Sequence, residues 1–370
     1  MIPDRLERHP SWLELFFDLV FVAAVAAMTQ QLQLDHSVNG LGVFAGLFVP
    51  VWWAWRGFAW YATGFGTEDG AFRVALLAGM LGVATLAAGI DGAAHGDSTQ
   101  FVIAYAGLLV ILAALHGNLW WRMPEVRQLA WRHGLGYGLG ASLWLASLAL
   151  GQNARPWVWA AAMLGLIAVP IMVLRQPHRA YDAGHIAERY GLFTLIVLGE
   201  SVVVTVSGMN TKGNFAAAVV AVFGFVLAVT IWWVYFARYR AMPAQTPAAL
   251  FVWAQMHFLV FAGIVATAVG VTLAVESAAI GRALTVLDRL PLGAGLAAYL
   301  LAMATIRAVT RRLDWEVCLR LTVGGAILGL ALLGAGLSPV VYIGIVGLLL
   351  AGGATVEMTG AAPAKTGVPG

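Results

Sequence analysis

An all-α, polytopic helical membrane protein with about 12 transmembrane helices in two parallel six-helix repeats is the fold class this sequence predicts. Three observations carry that expectation. Of 370 residues, 61% are hydrophobic and only 11% charged, with a mean hydropathy of +0.83; a soluble domain carries about 25% charged residues. Apolar runs long enough to cross a bilayer, roughly 20 residues each, recur along the whole chain. Finally, Lys and Arg collect on alternate connections between those runs.

Between polar breaks, the first six runs span 11–34, 38–62, 73–92, 99–121, 134–151 and 156–174. The second six span 187–209, 214–238, 248–275, 291–310, 315–334 and 338–356. The opening "MIPDRLERHP" mixes charges and no A-x-A cleavage pattern follows the first run, which is read as a retained helix and not a signal peptide. Residues 1–175 and 176–356 form the two expected repeats. The remainder, 357–370, ending in "TGAAPAKTGVPG", is small, Pro/Gly-rich and read as a disordered tail.

Of the 21 Lys and Arg residues, Arg56 falls inside a run, and Arg155, Lys212, Arg282 and Arg289 fall on one side of the expected membrane. The other sixteen lie on the side shared by the N-terminus and the even-numbered connections. That positive-inside bias predicts a multi-pass protein of the inner (plasma) membrane with both termini cytoplasmic. It also accounts for the net charge of +3 without a nucleic-acid partner. Cys318, the single cysteine, excludes an internal disulfide.

The repeat is read from a shift of 176 residues, which sets His9 on His185, Phe17 on Phe193, Leu19 on Leu195 and Thr29 on Thr205. Trp52-Trp53 answers Trp232-Trp233 at a shift of 180. Six helices per half is an even number, so both halves would enter from the same side, as in parallel-repeat transporters.

The stretches "ELFFDLVFV", "WWAW", "TGFGTEDGAFRVALLAGM" and "ERYGLFTLIVLGES" resemble the bacterial low temperature requirement protein A family. That resemblance implies a multispanning membrane protein linked to growth in the cold, and no agreed biochemical activity. Its loop pattern covers Glu68, Asp69 and Arg73, although the preceding "GFG" departs from the polar residues the family would place there. A weaker similarity joins Phe16-Phe17-Asp18 to lysosomal and bacterial potassium channels with two six-helix repeats and a Phe-Ser-Asp motif. The second half here has Leu192-Phe193-Thr194 at that place.

Intramembrane charge marks the candidate site. A charged group at the bilayer centre costs on the order of 2.5–3.5 kcal/mol on insertion scales, so each needs a partner or a use. Asp18 lies about 10 Å into the first helix and shares a face with Glu14. Arg56, at similar depth on the second helix, is its expected partner. Either they lock two helices together, or Asp18 is a proton or cation site that Arg56 tunes. Glu200 lies deeper, flanked by a polar stripe of Thr194, Ser201 and Thr205, with Ser207 on its own side. His257 on the ninth run is its expected partner for proton handling; the other reading is a protonated Glu200 that merely hydrogen-bonds. The tryptophans at 52, 53, 55, 60, 232 and 233 read as an interfacial belt or, alternatively, a cavity lining.

There is no Walker loop, no His-x-x-x-His and no Cys-x-x-Cys, so no cofactor or metal is expected. The sequence thus favours a channel or secondary transporter for a small ion or solute, in contact with the lipid bilayer, with Asp18, Glu200, His257, Arg56, Glu14 and Ser201 at its site and homo-oligomerisation left open. The alternatives are a membrane-embedded enzyme acting on a lipid or isoprenoid, with Glu200 and His257 as acid and base, and a stress-response scaffold whose charges only specify packing.

Overall fold

The structure, a computed structural model, describes residues 9–66, 69–173, 183–209, 214–237, 246–311 and 313–360. Among these, every regular element is helical. The helices are α1 (Trp12–Leu34), α2 (Val38–Phe65), α3 (Gly70–Ala88), α4 (Ile90–Ala94), α5 (Thr99–Arg122), α6 (Arg127–Ala146), α7 (Arg155–Val173), α8 (Ala183–Met209), α9 (Phe215–Phe236), α10 (Pro247–Ala279), α11 (Val286–Thr310), α12 (Trp315–Leu333) and α13 (Pro339–Thr359). Among the described residues ten helices are long and apolar enough to cross a membrane. The other long ones, α6 and α8, carry charges within their length. Glu68 and Lys212, and Arg5, Arg8, Arg175, Arg179, Arg238, Arg240, Arg312 and Lys365 of the sixteen basic residues on the N-terminal side, lie outside the described residues.

The earlier starts of α6, α8 and α11 share one cause: hydropathy discards polar residues that the backbone keeps helical. Helix α6 starts at Arg127 and not 134, since Arg127, Arg132 and His133 occupy its first two turns. Helix α8 starts four residues before 187, and α11 five before 291. The expected helix 73–92 is broken at Gly89, where the chain passes so close to α5 that a Cβ would come within 2.7 Å of the Phe101 nitrogen. Helix α13 runs through Thr359, so 357–359 are helical and not tail; 361–370 lie outside the described residues.

Side-chain caps satisfy the otherwise orphaned N–H groups that open these helices. Ser11, Ser37, Asp69, Asn214, Asp314 and Ser338 each accept from a backbone N–H of the first turn. Thr285 and Asp288 form a reciprocal capping box on α11. Just beyond the C-terminus of α10, Gly281 adopts a left-handed φ of 67°, a conformation that ends helices at little cost only for glycine.

The chain divides into two compact units, Met1–Glu200 with Ala244–Phe251 and Ser201–Pro243 with Val252–Gly370. In the first, α1 packs on α2 and α3, α3 on α5, α5 on α6, and α6 on α7. In the second, α11 packs on α12, and α13 on α9 and α12. There, α10 and α11 meet backbone to backbone at Gly263 and Gly295, where a Cβ on either would lie 2.6 Å from the other's carbonyl oxygen. Large apolar side chains such as Leu81, Leu164 and Leu348 face outward. A water-soluble protein avoids such continuous apolar surface, whereas a lipid-facing one requires it.

Candidate functional site

In the first unit, buried polar residues form a ladder between α1, α2 and α8. Glu14 and Asp18 are four apart on α1, which places both on one face; that face continues with Phe21 and Val25, and all four are buried. His185, Arg189 and Phe193 repeat the four-residue spacing on α8 and are buried as well. On the first rung, Glu14 Oε2 lies 3.2 Å from His185 Nε2, and His185 Nδ1 is 3.0 Å from the Thr63 hydroxyl of α2.

One turn further, Arg189 clasps Asp18. Its Nε donates to Oδ2 at 3.1 Å and its Nη2 to Oδ1. The Trp55 indole donates to Oδ1 at 2.8 Å, and Arg189 Nη1 reaches the Ala59 carbonyl at 3.4 Å. The third rung is aromatic. Phe193 stacks on Trp55 at 4.4 Å between centroids and meets Phe21 edge-on at 6.4 Å. His9 Nδ1 and Glu188 Oε2, 3.2 Å apart and exposed, extend the ladder outward. The rungs climb in the same chain direction on α1 and α8 and in the opposite direction on α2.

The expected Asp18–Arg56 pair is therefore not formed. Asp18 takes its cation from α8, while Arg56 turns to aromatic faces: its guanidinium carbon lies 4.7 Å from the Trp53 ring, 5.0 Å from Trp60 and 5.8 Å from Phe251. Trp52, Trp53 and Trp55 are buried in the first unit and form no interfacial belt, whereas Trp232 and Trp233 are exposed. Two arginines that the sequence reading counted only toward the cationic side of the membrane are also paired inside helices. Arg189 sits inside α8, and Arg320 inside α12 forms a buried two-bond pair with Glu357 at 2.7 and 2.8 Å.

Glu200 is half-buried on α8, about 16 Å along the axis from Arg189. Within its own unit its carboxylate forms no ion pair or hydrogen bond with a described residue. His257 is buried in the second unit. Its Nδ1 donates to the Trp253 carbonyl at 2.8 Å, and because a carbonyl only accepts, Nε2 is left to accept from the Tyr235 hydroxyl at 2.9 Å. Ser201 is buried and its carbonyl accepts from Thr205 Oγ1 at 2.9 Å. Thr194 bonds back to the Tyr190 carbonyl at 2.8 Å, so much of the expected polar stripe is satisfied by its own helix. The Ser207 side chain lies outside those described.

Sequence reasoning missed His185, Arg189, Thr63 and Trp55 as site residues. The available signal was complementarity: two acids four apart on one helix, and a histidine and an arginine four apart on another.

Helices of this length and apolarity, with a charged ladder sealed among them, define a multi-pass membrane protein. The family model described as "Bacterial low temperature requirement A protein (LtrA)" matches residues 9–354, and the chain belongs to that family. It is also 28% identical over 306 residues to a protein of Rhizobium meliloti (strain 1021) named "Uncharacterized protein RA0937", covering 71% of this chain and 72% of that protein.

Proposed function

We propose that this protein is a channel or secondary transporter for a small ion or solute in the plasma membrane. In this reading both termini are cytoplasmic and twelve spans form two parallel six-helix repeats, with the link to growth in the cold resting on the family description alone. The observation that carries the reading is the ladder of Glu14, Asp18, His185 and Arg189. Two acids, an arginine and a titratable imidazole inside an apolar bundle are expensive, and membrane proteins keep such groups mainly on ion and proton paths. The shared chain direction of α1 and α8 supports the parallel repeat, because these are the opening helices of the two expected halves. Glu14 and His185 are the proton-handling pair, Asp18 and Arg189 hold it in register, and Glu200 is the second acid on the path.

A scaffold reading has one observation in its favour: both Asp18 oxygens are already taken by Arg189 and Trp55. Vesicles reconstituted with purified protein separate the two. Proton, potassium or chloride flux under an imposed gradient, lost in Glu14→Gln with helical content intact, supports transport. Absence of flux for all three ions in the wild type supports the scaffold.

A further inference from the structure

Arg56 is 5% exposed and Trp53 2% exposed, yet Arg56 Nε and Trp53 Nε1 make no hydrogen bond. No described carboxylate lies within ion-pair distance of Arg56. The aromatic rings hold the guanidinium faces, but a ring face does not satisfy an N–H edge. A buried donor left without an acceptor costs about 1–3 kcal/mol, and more when charged. Two on adjacent turns of one helix call for a specific explanation.

Both side chains border the same cavity of about 10 Å³, whose wall also includes Tyr137 and His133. That volume suits one water-sized particle. The carboxylates that could have neutralised Arg56 are engaged elsewhere, Asp18 by Arg189 and Glu14 by His185.

We propose that Trp53, Arg56 and Tyr137 form a binding site for a small inorganic anion of about the size of a water molecule. The indole, guanidinium and phenol all offer N–H or O–H donors, and the occupant has to supply acceptors and a negative charge. A water supplies acceptors but leaves the buried cation uncompensated. Organic acids and polyatomic oxyanions exceed the space. Among simple anions fluoride has the matching size, and chloride probes how far the walls give. The binding claim stands apart from transport; only the further step, that the bound anion is the cargo, rests on the reading above.

The test is the melting temperature of the purified full-length protein in detergent, with fluoride or chloride replacing gluconate at constant ionic strength and pH. The expected result is a saturable rise with halide, because a ligand that binds the folded state alone stabilises it. Trp53→Phe keeps an aromatic face for Arg56 but removes the indole N–H together with the five-membered ring that bears it, and is expected to move the midpoint at least about tenfold to higher concentration. Arg56→Gln is expected to abolish the response. A wild type indifferent to both halides overturns the proposal, as does the same midpoint in Trp53→Phe. Should Arg56→Gln fail to fold, Trp53→Phe decides alone. Binding without vesicle flux would leave the anion site standing and remove the transport reading; flux without binding would do the reverse.

Discussion

Replacing Asp18 by Asn tests the ladder at its strongest rung. The wild-type carboxylate accepts Arg189 Nε and Nη2 and the Trp55 indole, and both members of the pair are buried. Asparagine keeps the volume and one carbonyl acceptor, but sets an NH₂ against a donor and leaves the Arg189 charge without a counter-charge, with one side-chain acceptor and the Ala59 carbonyl at 3.4 Å. Removing one member of a buried pair costs about 3–5 kcal/mol, most of it the stranded charge. Arg189→Gln strands the carboxylate instead and is expected to cost about the same. The double variant Asp18→Asn with Arg189→Gln leaves two neutral amides able to bond each other. Its loss should therefore fall short of the summed singles by about 2–3 kcal/mol, at the upper end of coupling energies for contacting residues. The assay is reversible unfolding in mixed micelles with rising denaturing detergent, followed by helical circular dichroism. Additive single costs, or an Asp18→Asn loss below about 1 kcal/mol, would refute the account of this pair.

Other expectations follow from the same geometry. Glu357→Gln is expected to destabilise the second unit by about 3–5 kcal/mol, because Arg320 would keep its charge in a buried site; the same unfolding titration reads it. Gly263→Val forces a side chain into the Gly295 carbonyl and the Tyr299 backbone, and overpacking of this kind costs about 1–3 kcal/mol; a lower unfolding midpoint checks it. In the α11–α12 connection, hydrogen bonds from Arg307 hold the Asp314 carboxyl below the usual carboxylate range. A depressed folded value means that this stabilisation is fully present above the unfolded value of about 3.9 and lost as pH falls through the folded one. The melting temperature should thus fall more steeply below about pH 4 in wild type than in Asp314→Asn, and parallel curves would remove the effect. Glu200→Gln, with no ion pair in its own unit to lose, is expected to leave stability within about 0.5 kcal/mol while reducing flux.

Much of the helical architecture was legible because bilayer-crossing helices need a simple periodicity-free signal, length and apolarity. Boundaries were less so wherever a helix begins in polar residues, as at Arg127 and Ala183. The site was hidden for another reason: Arg189 lies within the expected run 187–209, but Asp18 was given the arginine on the next helix along the chain. Arg56 was rightly noticed as a cation inside a run, but sequence cannot say that its faces rest on Trp53 and Trp60. Conversely, the buried face of α1 was readable: Glu14 and Asp18 share it by spacing alone. Their charged partners, His185 and Arg189, each came from 171 residues away, a separation across which hydropathy carries no pairing information.

The most direct test of the central claim is the current across a supported bilayer carrying purified wild type, Glu14→Gln and Glu200→Gln, under imposed proton, potassium and chloride gradients. The account predicts a gradient-dependent wild-type current, reduced at least about tenfold in each folded variant, in keeping with groups that lie on the path. No wild-type current with any of the three ions, or full current in both variants, would contradict it.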